Sequence, residues 1–402
     1  MTGRLPRLTS MRFYAALMVV AYHWATQLPS LRPVAPLVGH GYVAVSFFFV
    51  LSGFVLTWNH RPDTSTLDFY RRRLARIWPL HLLTTAAAVV LLWGAGRAQA
   101  PTTLALTLAL LHTWAPTLST TFAYNSPSWS LSCEAFFYVL FPLLVLPARR
   151  MRRVGPTVVV LALVVLVTTA ASVLLVPGAF RWQLGYQLST NPIVRLPEFV
   201  LGVLLAQAMR SGWRPRLSLP QALAVAGAGY LVLLALTPIW PAAGLGQVTQ
   251  PVGNLVMVGP CALVIAAAAT ADLAATTGHL THRHLVRLGE WSFAVYLCHQ
   301  LVFAAAALLL RHTGFWSGLL LPVVMLGAVI ALAGLLHRAV EQPCERRLRP
   351  RRRPATGEAA TDEATSDRVA TDRVATDKAA TDAPVSLVPV QLAHPDLDLA
   401  ST

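Results

Sequence analysis

The chain has 402 residues, of which 55% are hydrophobic and only 12% charged. A soluble globular domain carries roughly twice that charged fraction, so the composition excludes an ordinary soluble protein. The net charge of +15 does not indicate a nucleic-acid binder either. The basic residues form short arginine clusters between apolar runs, the pattern that orients membrane helices. The four cysteines (Cys133, Cys261, Cys298, Cys344) are too scattered for a disulfide framework or a zinc site.

In chain order, the apolar runs predict an all-α, polytopic helical bundle of about ten spans. They cover roughly 11–28, 41–58, 76–95, 129–147, 155–177, 193–209, 219–241, 251–271, 288–310 and 315–337, each close to the ~20 residues a bilayer requires. The first is not a cleavable signal peptide: a second span follows at once, with no small-residue cleavage site between them. A further apolar stretch, 102–116, is short. If it does not cross, one side of the membrane collects 24 arginines and the other only Arg32, Arg97, Arg181 and Arg311. If it crosses, the "RRMRR" of 149–153 moves to the wrong side. Both termini are therefore expected in the cytoplasm, with 102–116 re-entrant or lying on the outer face.

A transmembrane domain is expected over residues 1–345, followed over 346–402 by a basic stretch and a disordered tail. From about 354 the chain is an imperfect repeat of Ala, Thr and Asp, with too few large apolar residues to form a core. Nine of the 17 acidic residues lie in that tail. Of the eight others, only Glu134 and Glu198 fall within spans. An ionisable residue there costs on the order of 3 kcal/mol, which makes it a candidate for function.

The candidate residues follow from helical geometry. Arg12 and His23 are eleven positions apart, about 1100° of rotation, so they share one face and lie about 16 Å apart along the axis. In "SPSWSLSCEAFFYVLFP" (126–142), Ser130, Glu134 and Tyr138 repeat every fourth residue on one face. Glu134 is expected at a depth close to His23. There it would pair with the imidazole, orient it, or serve as a polar contact between helices. Arg73 and Arg76 share a face at the entrance of the third span, where guanidinium forks suit phosphate oxygens, although arginines also stand there for topology alone. Arg195 and Glu198, three apart, can neutralise each other, in a structural or a substrate-orienting role. His299 lies near mid-bilayer, as a cavity group or a packed core histidine. His279, His282 and His284 lack nearby acidic or thiol partners beyond Asp272, so no metal is expected.

Arginines at one mouth followed by a deeper histidine and carboxylate suit an anionic, phosphate-bearing donor. A proton-coupled transporter is the reading of another class, but the chain shows no internal repeat.

At these positions the sequence resembles membrane acyltransferase family 3, the bacterial O-acyltransferases of sugars and natural products. The resemblance covers about residues 7–345. It rests on Arg12 through His23, "GYVAVSFFFVLSGFVLTW" (41–58), Arg73 and Arg76, Ser130, Ser132, Glu134, Phe137 and Tyr138, "PEFVLG", "SFAVYLCH" and "EQP" at 341–343. Where many relatives have a second glutamate, this chain has Ala135, and where a basic residue is common it has Glu290.

The resemblance implies a ten-helix acyltransferase with acyl-CoA as co-substrate and no permanently bound cofactor. Arg73 and Arg76, with Arg12, would hold the phosphates of coenzyme A. His23 would be the general base or, alternatively, form an acyl-histidine. Glu134 would orient His23 or shuttle its proton. Ser130, Ser132, Tyr138, Arg195, Glu198 and His299 would be substrate-facing or structural. The compact single-domain form and its wording resemble the branch from antibiotic-producing actinobacteria, which implies a macrolide or its sugar as acceptor; a cell-surface glycan is the alternative.

Overall fold

The computed structural model describes residues 5–62, 64–97, 99–150, 181–239, 249–310 and 320–348. The expected span at 155–177 and the expected disordered tail lie outside them. Helices and connecting turns account for all the described residues, with no strand among them.

The principal helices are α1 (Pro6–Gln27), α2 (Ala44–Trp58), α3 (Thr66–Gly94), α4 (Pro101–Leu108), α5 (Trp129–Arg150), α6 (Arg181–Thr190), α7 (Pro192–Arg210), α8 (Leu219–Leu236), α9 (Thr249–Leu273), α10 (Arg283–Leu310), α11 (Leu320–Leu336) and α12 (Gln342–Leu348). A π-helical turn, His337–Glu341, joins the last two. Among the described residues, eight helical stretches are long and apolar enough to cross a membrane. Helix α1 is not one of the eight, because Arg12, Tyr14 and His23 lower its hydropathy. Of these, Arg12 and His23 line the polar interior, and Tyr14 lies on an exposed face.

The local sequence fixes where the helices start. Ser65 caps α3, its Oγ accepting from the Asp68 amide at 3.1 Å. Helix α3 thus begins ten residues before the expected span, and Arg71–Arg76 lie on its first turns. Asn191 caps α7 through the Ile193 amide at 2.9 Å. Helix α1 has no side-chain cap of its own. Asp272, at the end of α9, takes that part: its Oδ2 accepts from the Arg7 amide at 3.0 Å and its Oδ1 from Arg7 Nη1 at 2.9 Å. A carboxylate at a helix N-terminus satisfies free N–H groups and meets the positive end of the dipole.

The stretch 102–116 packs beside α3 through α4 and the turn that follows it. The orphan carbonyls at the end of α4 find partners midway along α3. His81 Nε2 meets Thr107 O at 2.8 Å and Trp78 Nε1 donates to Leu108 O at 3.1 Å. Leu110 then adopts a left-handed conformation (φ 59°), and its carbonyl accepts from Ser132 Oγ at 2.5 Å. Backbone outside regular helix needs partners for its polar groups, and His81, Trp78 and Ser132 supply them here.

Small residues permit the closest helix contacts, as membrane packing favours. A Cβ at Gly53 on α2 would lie 2.0 Å from Phe199 O on α7, and one at Gly202 on α7 would lie 1.9 Å from Val50 O. These reciprocal glycines press α2 and α7 together along a parallel course. The polar path follows one side of that pair.

Candidate active site

Two cavities meet inside the bundle. The first opens at the end where α1 and α3 begin. It is lined by Arg12, by Ser52 and Phe48 of α2, by Arg73 and Arg76 of α3, by Ser130, Glu134 and Tyr138 of α5, and by Ser292 and Tyr296 of α10. Its mouth adds Asn59, Glu290, His337, Gln342 and Glu345. The second is lined by Tyr22 and His23 of α1, Tyr42, Ser126, Trp129, Tyr186, Ser189, Arg195 of α7, and Gln250 and Asn254 of α9. It continues toward the opposite end past His40 and Thr237. Val45 and Tyr296 line both cavities and stand between them. Tyr296 is fixed there by its hydroxyl, which donates to Pro127 O at 3.2 Å.

The first cavity is cationic, but its three arginines differ. Arg12 has no hydrogen-bond or ion-pair partner among the described residues. Arg73 packs 6.0 Å from the ring centroids of both Phe69 and Tyr138, and its buried Nε has no partner. Arg76 is already matched: its Nη1 lies 2.6 Å from Glu345 Oε1 and 3.4 Å from Glu341 Oε2. The free binding capacity for an anion therefore belongs to Arg12 and Arg73. Sequence spacing alone gave Arg73 and Arg76 the same part.

Glu134 requires a correction. It does not pair with His23, and the two line different cavities. Its Oε2 accepts from Tyr138 Oη at 3.0 Å, one turn along the same helix, and it faces the arginine cavity. The four-residue spacing gave the shared face of Ser130, Glu134 and Tyr138 correctly. Depth and direction depend on where α5 starts, after the irregular segment that precedes it, and periodicity does not report that. Ser130 lines the first cavity and donates to Pro127 O at 3.1 Å. Ser132 does not line it. It points instead at the 102–116 segment, with Thr113 Oγ1 at 2.6 Å.

His23 meets His299: Nδ1 and Nε2 are 3.0 Å apart. His299 is fully buried, and its Nδ1 lies 2.7 Å from Tyr296 O. Beside them, Arg195 Nη1 and Glu198 Oε1 form the expected pair at 2.9 Å. Ser46 Oγ accepts from Arg195 Nη2 at 3.2 Å and lies within reach of Glu198 and Asn254. Arg195 also packs over Phe49, 5.1 Å from the ring centroid. At the far rim, His40 is held between Tyr42 Oη (3.1 Å) and Thr237 Oγ1 (2.7 Å), and burial keeps its imidazole below the ordinary histidine value.

Sequence reading passed over Ser52, Tyr22, Tyr42, Gln250, Asn254 and Tyr296. Uncharged amides within a span were the available signal for Gln250 and Asn254. The tyrosines carried none beyond their type.

An integral bundle with a basic entry, a buried histidine bonded to a half-buried one, and a second, hydroxyl- and amide-lined cavity defines a class. The chain belongs to acyltransferase family 3: residues 5–338 match that family's acyltransferase domain. It is an integral-membrane enzyme that transfers acyl groups. It is similar to the acyltransferase MdmB of Streptomyces mycarofaciens, 38% identical over 88% of this chain and 95% of that one. Nodulation protein 10 of Rhizobium leguminosarum bv. viciae is 24% identical over 74% of this chain and 81% of its own. YrhL of Bacillus subtilis (strain 168), provisionally named a peptidoglycan O-acetyltransferase, is 28% identical over 50% of this chain and 33% of its own. No solved structure matches the chain.

Proposed function

We propose that the protein is an acyl-CoA-dependent O-acyltransferase that acylates a hydroxyl of a natural product such as a macrolide or its sugar. The observation that carries this reading is the meeting of two unlike cavities at Tyr296. One is lined by three arginines, two of them without an ion-pair partner among the described residues; the other is lined by tyrosines, amides and the His23 ring. The arginine end faces the cytoplasm in this reading, which the arginine distribution supports.

Coenzyme A enters from that side. Its phosphates engage Arg12 and Arg73, because charge-assisted contacts to a guanidinium are strong in a site shielded from water. The thioester arm reaches past Ser52 and Tyr138 toward Tyr296. An acceptor hydroxyl occupies the second cavity against His23 Nε2, the ring nitrogen that does not face His299. The hydroxyl oxygen attacks the thioester carbonyl as His23 removes its proton. The carbon–sulfur bond breaks, an ester forms, and the proton passes to the coenzyme A thiolate. Glu134, held by Tyr138, balances the cationic entry rather than orienting the base.

Acylation of a cell-surface glycan is the second reading, favoured by the similarity to YrhL and by the tyrosines of the acceptor cavity, which suit sugar faces.

The test incubates membranes containing the protein with radiolabelled acetyl-CoA and with macrolide or glycan acceptors, wild type beside His23→Ala. General-base catalysis contributes about 100- to 10,000-fold. Labelled ester from wild type and a loss of that size in the variant are expected. Equal labelling by both would remove His23 from the chemistry.

A further inference from the structure

We infer that His299 is a positioning residue that fixes the tautomer of His23, through a chain that runs from the Tyr296 carbonyl to His299 to His23. The inference builds on the reading of His23 as the base and adds how that base is held ready.

The argument rests on which atoms can carry protons. A main-chain carbonyl only accepts. His299 Nδ1, 2.7 Å from Tyr296 O, must therefore carry a hydrogen. In a neutral ring the other nitrogen, Nε2, then holds a lone pair. That nitrogen lies 3.0 Å from His23 Nδ1, so the His23 nitrogen must be the donor. His23 Nδ1 thus carries the hydrogen, and its Nε2 holds a lone pair in the second cavity.

The ring geometry agrees. The two imidazole planes are inclined by 23° and their centroids lie 5.1 Å apart. With only 3.0 Å between the nitrogens, the rings meet edge to edge, as an N–H···N bond requires, rather than face to face.

The arrangement also has a single failure mode. A proton added to His299 Nε2 turns both facing nitrogens into donors unless His23 gives up its Nδ1 hydrogen. His23 would then carry its hydrogen on Nε2 and lose its basic site. Burial opposes that added charge: His299 has no exposed surface and no carboxylate bonded to it among the described residues. A neutral acceptor thus does here the orienting work that a buried carboxylate does for the histidine of a hydrolase triad. The carbonyl at the far end anchors the chain because it cannot change its role.

The experiment has two arms. The first is solid-state NMR of the full chain in lipid, with 15N-labelled histidine and His23→Gln to assign the His23 signals. It is independent of turnover. The wild type is expected to show His23 protonated at Nδ1 and unprotonated at Nε2, and His299 likewise. A His23 signal protonated at Nε2 in the resting protein would overturn the inference, whether or not the protein transfers acyl groups.

The second arm measures kcat and KM for His299→Gln and His299→Met, each checked for a monodisperse fold in detergent. Gln keeps an acceptor at the end of the side chain, and Met fills similar space without one. His299→Met should lose at least 100-fold in kcat with KM for both substrates within about threefold, and His299→Gln should recover at least tenfold of that loss. Equal kcat for the two variants would reduce His299 to packing and overturn the assignment. A wild type that gives the expected NMR tautomers but no labelled ester would instead count against the acyltransfer reading alone.

Discussion

Arg76 Nη1 lies 2.6 Å from Glu345 Oε1, so an arginine at the entrance of a cationic cavity is already held by a carboxylate from α12. Both side chains stay partly exposed, Arg76 at 23% and Glu345 at 29%, and an ion pair that solvent reaches contributes on the order of 1 kcal/mol. It is weak enough for an incoming phosphate to compete. Glu345→Gln should lower KM for acyl-CoA by up to about fivefold and leave kcat unchanged. Steady-state kinetics over a range of donor concentrations checks this, and a raised KM would show that Glu345 positions Arg76 for the donor.

Of the three arginines of the first cavity, Arg12 and Arg73 are those without a carboxylate partner among the described residues. A hydrogen bond to a charged group contributes about 1.5–3 kcal/mol, which corresponds to about 10- to 150-fold in affinity. Arg12→Ala and Arg73→Ala should each weaken coenzyme A binding by that much, measured by calorimetry on detergent-solubilised protein. Arg73→Lys should recover little, because a single ammonium replaces a planar fork that also lies against Tyr138 and Phe69. Unchanged coenzyme A affinity in both alanine variants would move the donor site elsewhere.

The parts of this molecule that were legible in the sequence are those set by local period. Apolar runs located the helices, and the three-residue spacing of Arg195 and Glu198 gave a true ion pair at 2.9 Å. The eleven-residue spacing of Arg12 and His23 placed both on the polar path. What periodicity lacks is depth and partner. Glu134 shares a face with Tyr138 as expected, yet points at the arginines, because the irregular segment before α5 sets where that helix starts. The His23–His299 contact joins residues 276 positions apart, and neither helix carries a local signal of the other. The partners of Arg76 sit in a cytoplasmic-looking basic run that topology alone explains, which hid Glu341 and Glu345 as site residues.

The Arg195–Glu198 pair is buried, with Arg195 Nε and Glu198 Oε2 lacking partners. Removing one member of a buried pair costs about 3–5 kcal/mol, whereas replacing both with apolar residues can be neutral. Glu198→Leu should lower Tm in detergent by several degrees or more. Arg195→Met with Glu198→Leu should recover most of that loss in stability. The double variant should stay inactive if Arg195 also contacts acceptor in the second cavity. Restored activity in it would confine the pair to a structural part.

The crossing of α1 and α10 decides whether His23 and His299 meet at all. At Gly289 a Cβ would lie 1.9 Å from Thr9 O and 2.5 Å from Thr9 C. Both are backbone atoms with no rotamer to escape into, so Gly289→Ala must push the two helices apart. Overpacking of this kind costs about 1–3 kcal/mol, too little to abolish folding of a bundle this size. The larger effect should fall on the bond between the rings, ten residues further along α10, whose 3.0 Å N···N separation lengthens with the crossing. Gly289→Ala should therefore lower kcat at least tenfold with a modest drop in Tm. Gly327→Ala on α11, where an added Cβ meets nothing within 4 Å, should leave both unchanged. A Gly289→Ala variant with full activity would show that the α1–α10 contact tolerates expansion without moving His23 off His299.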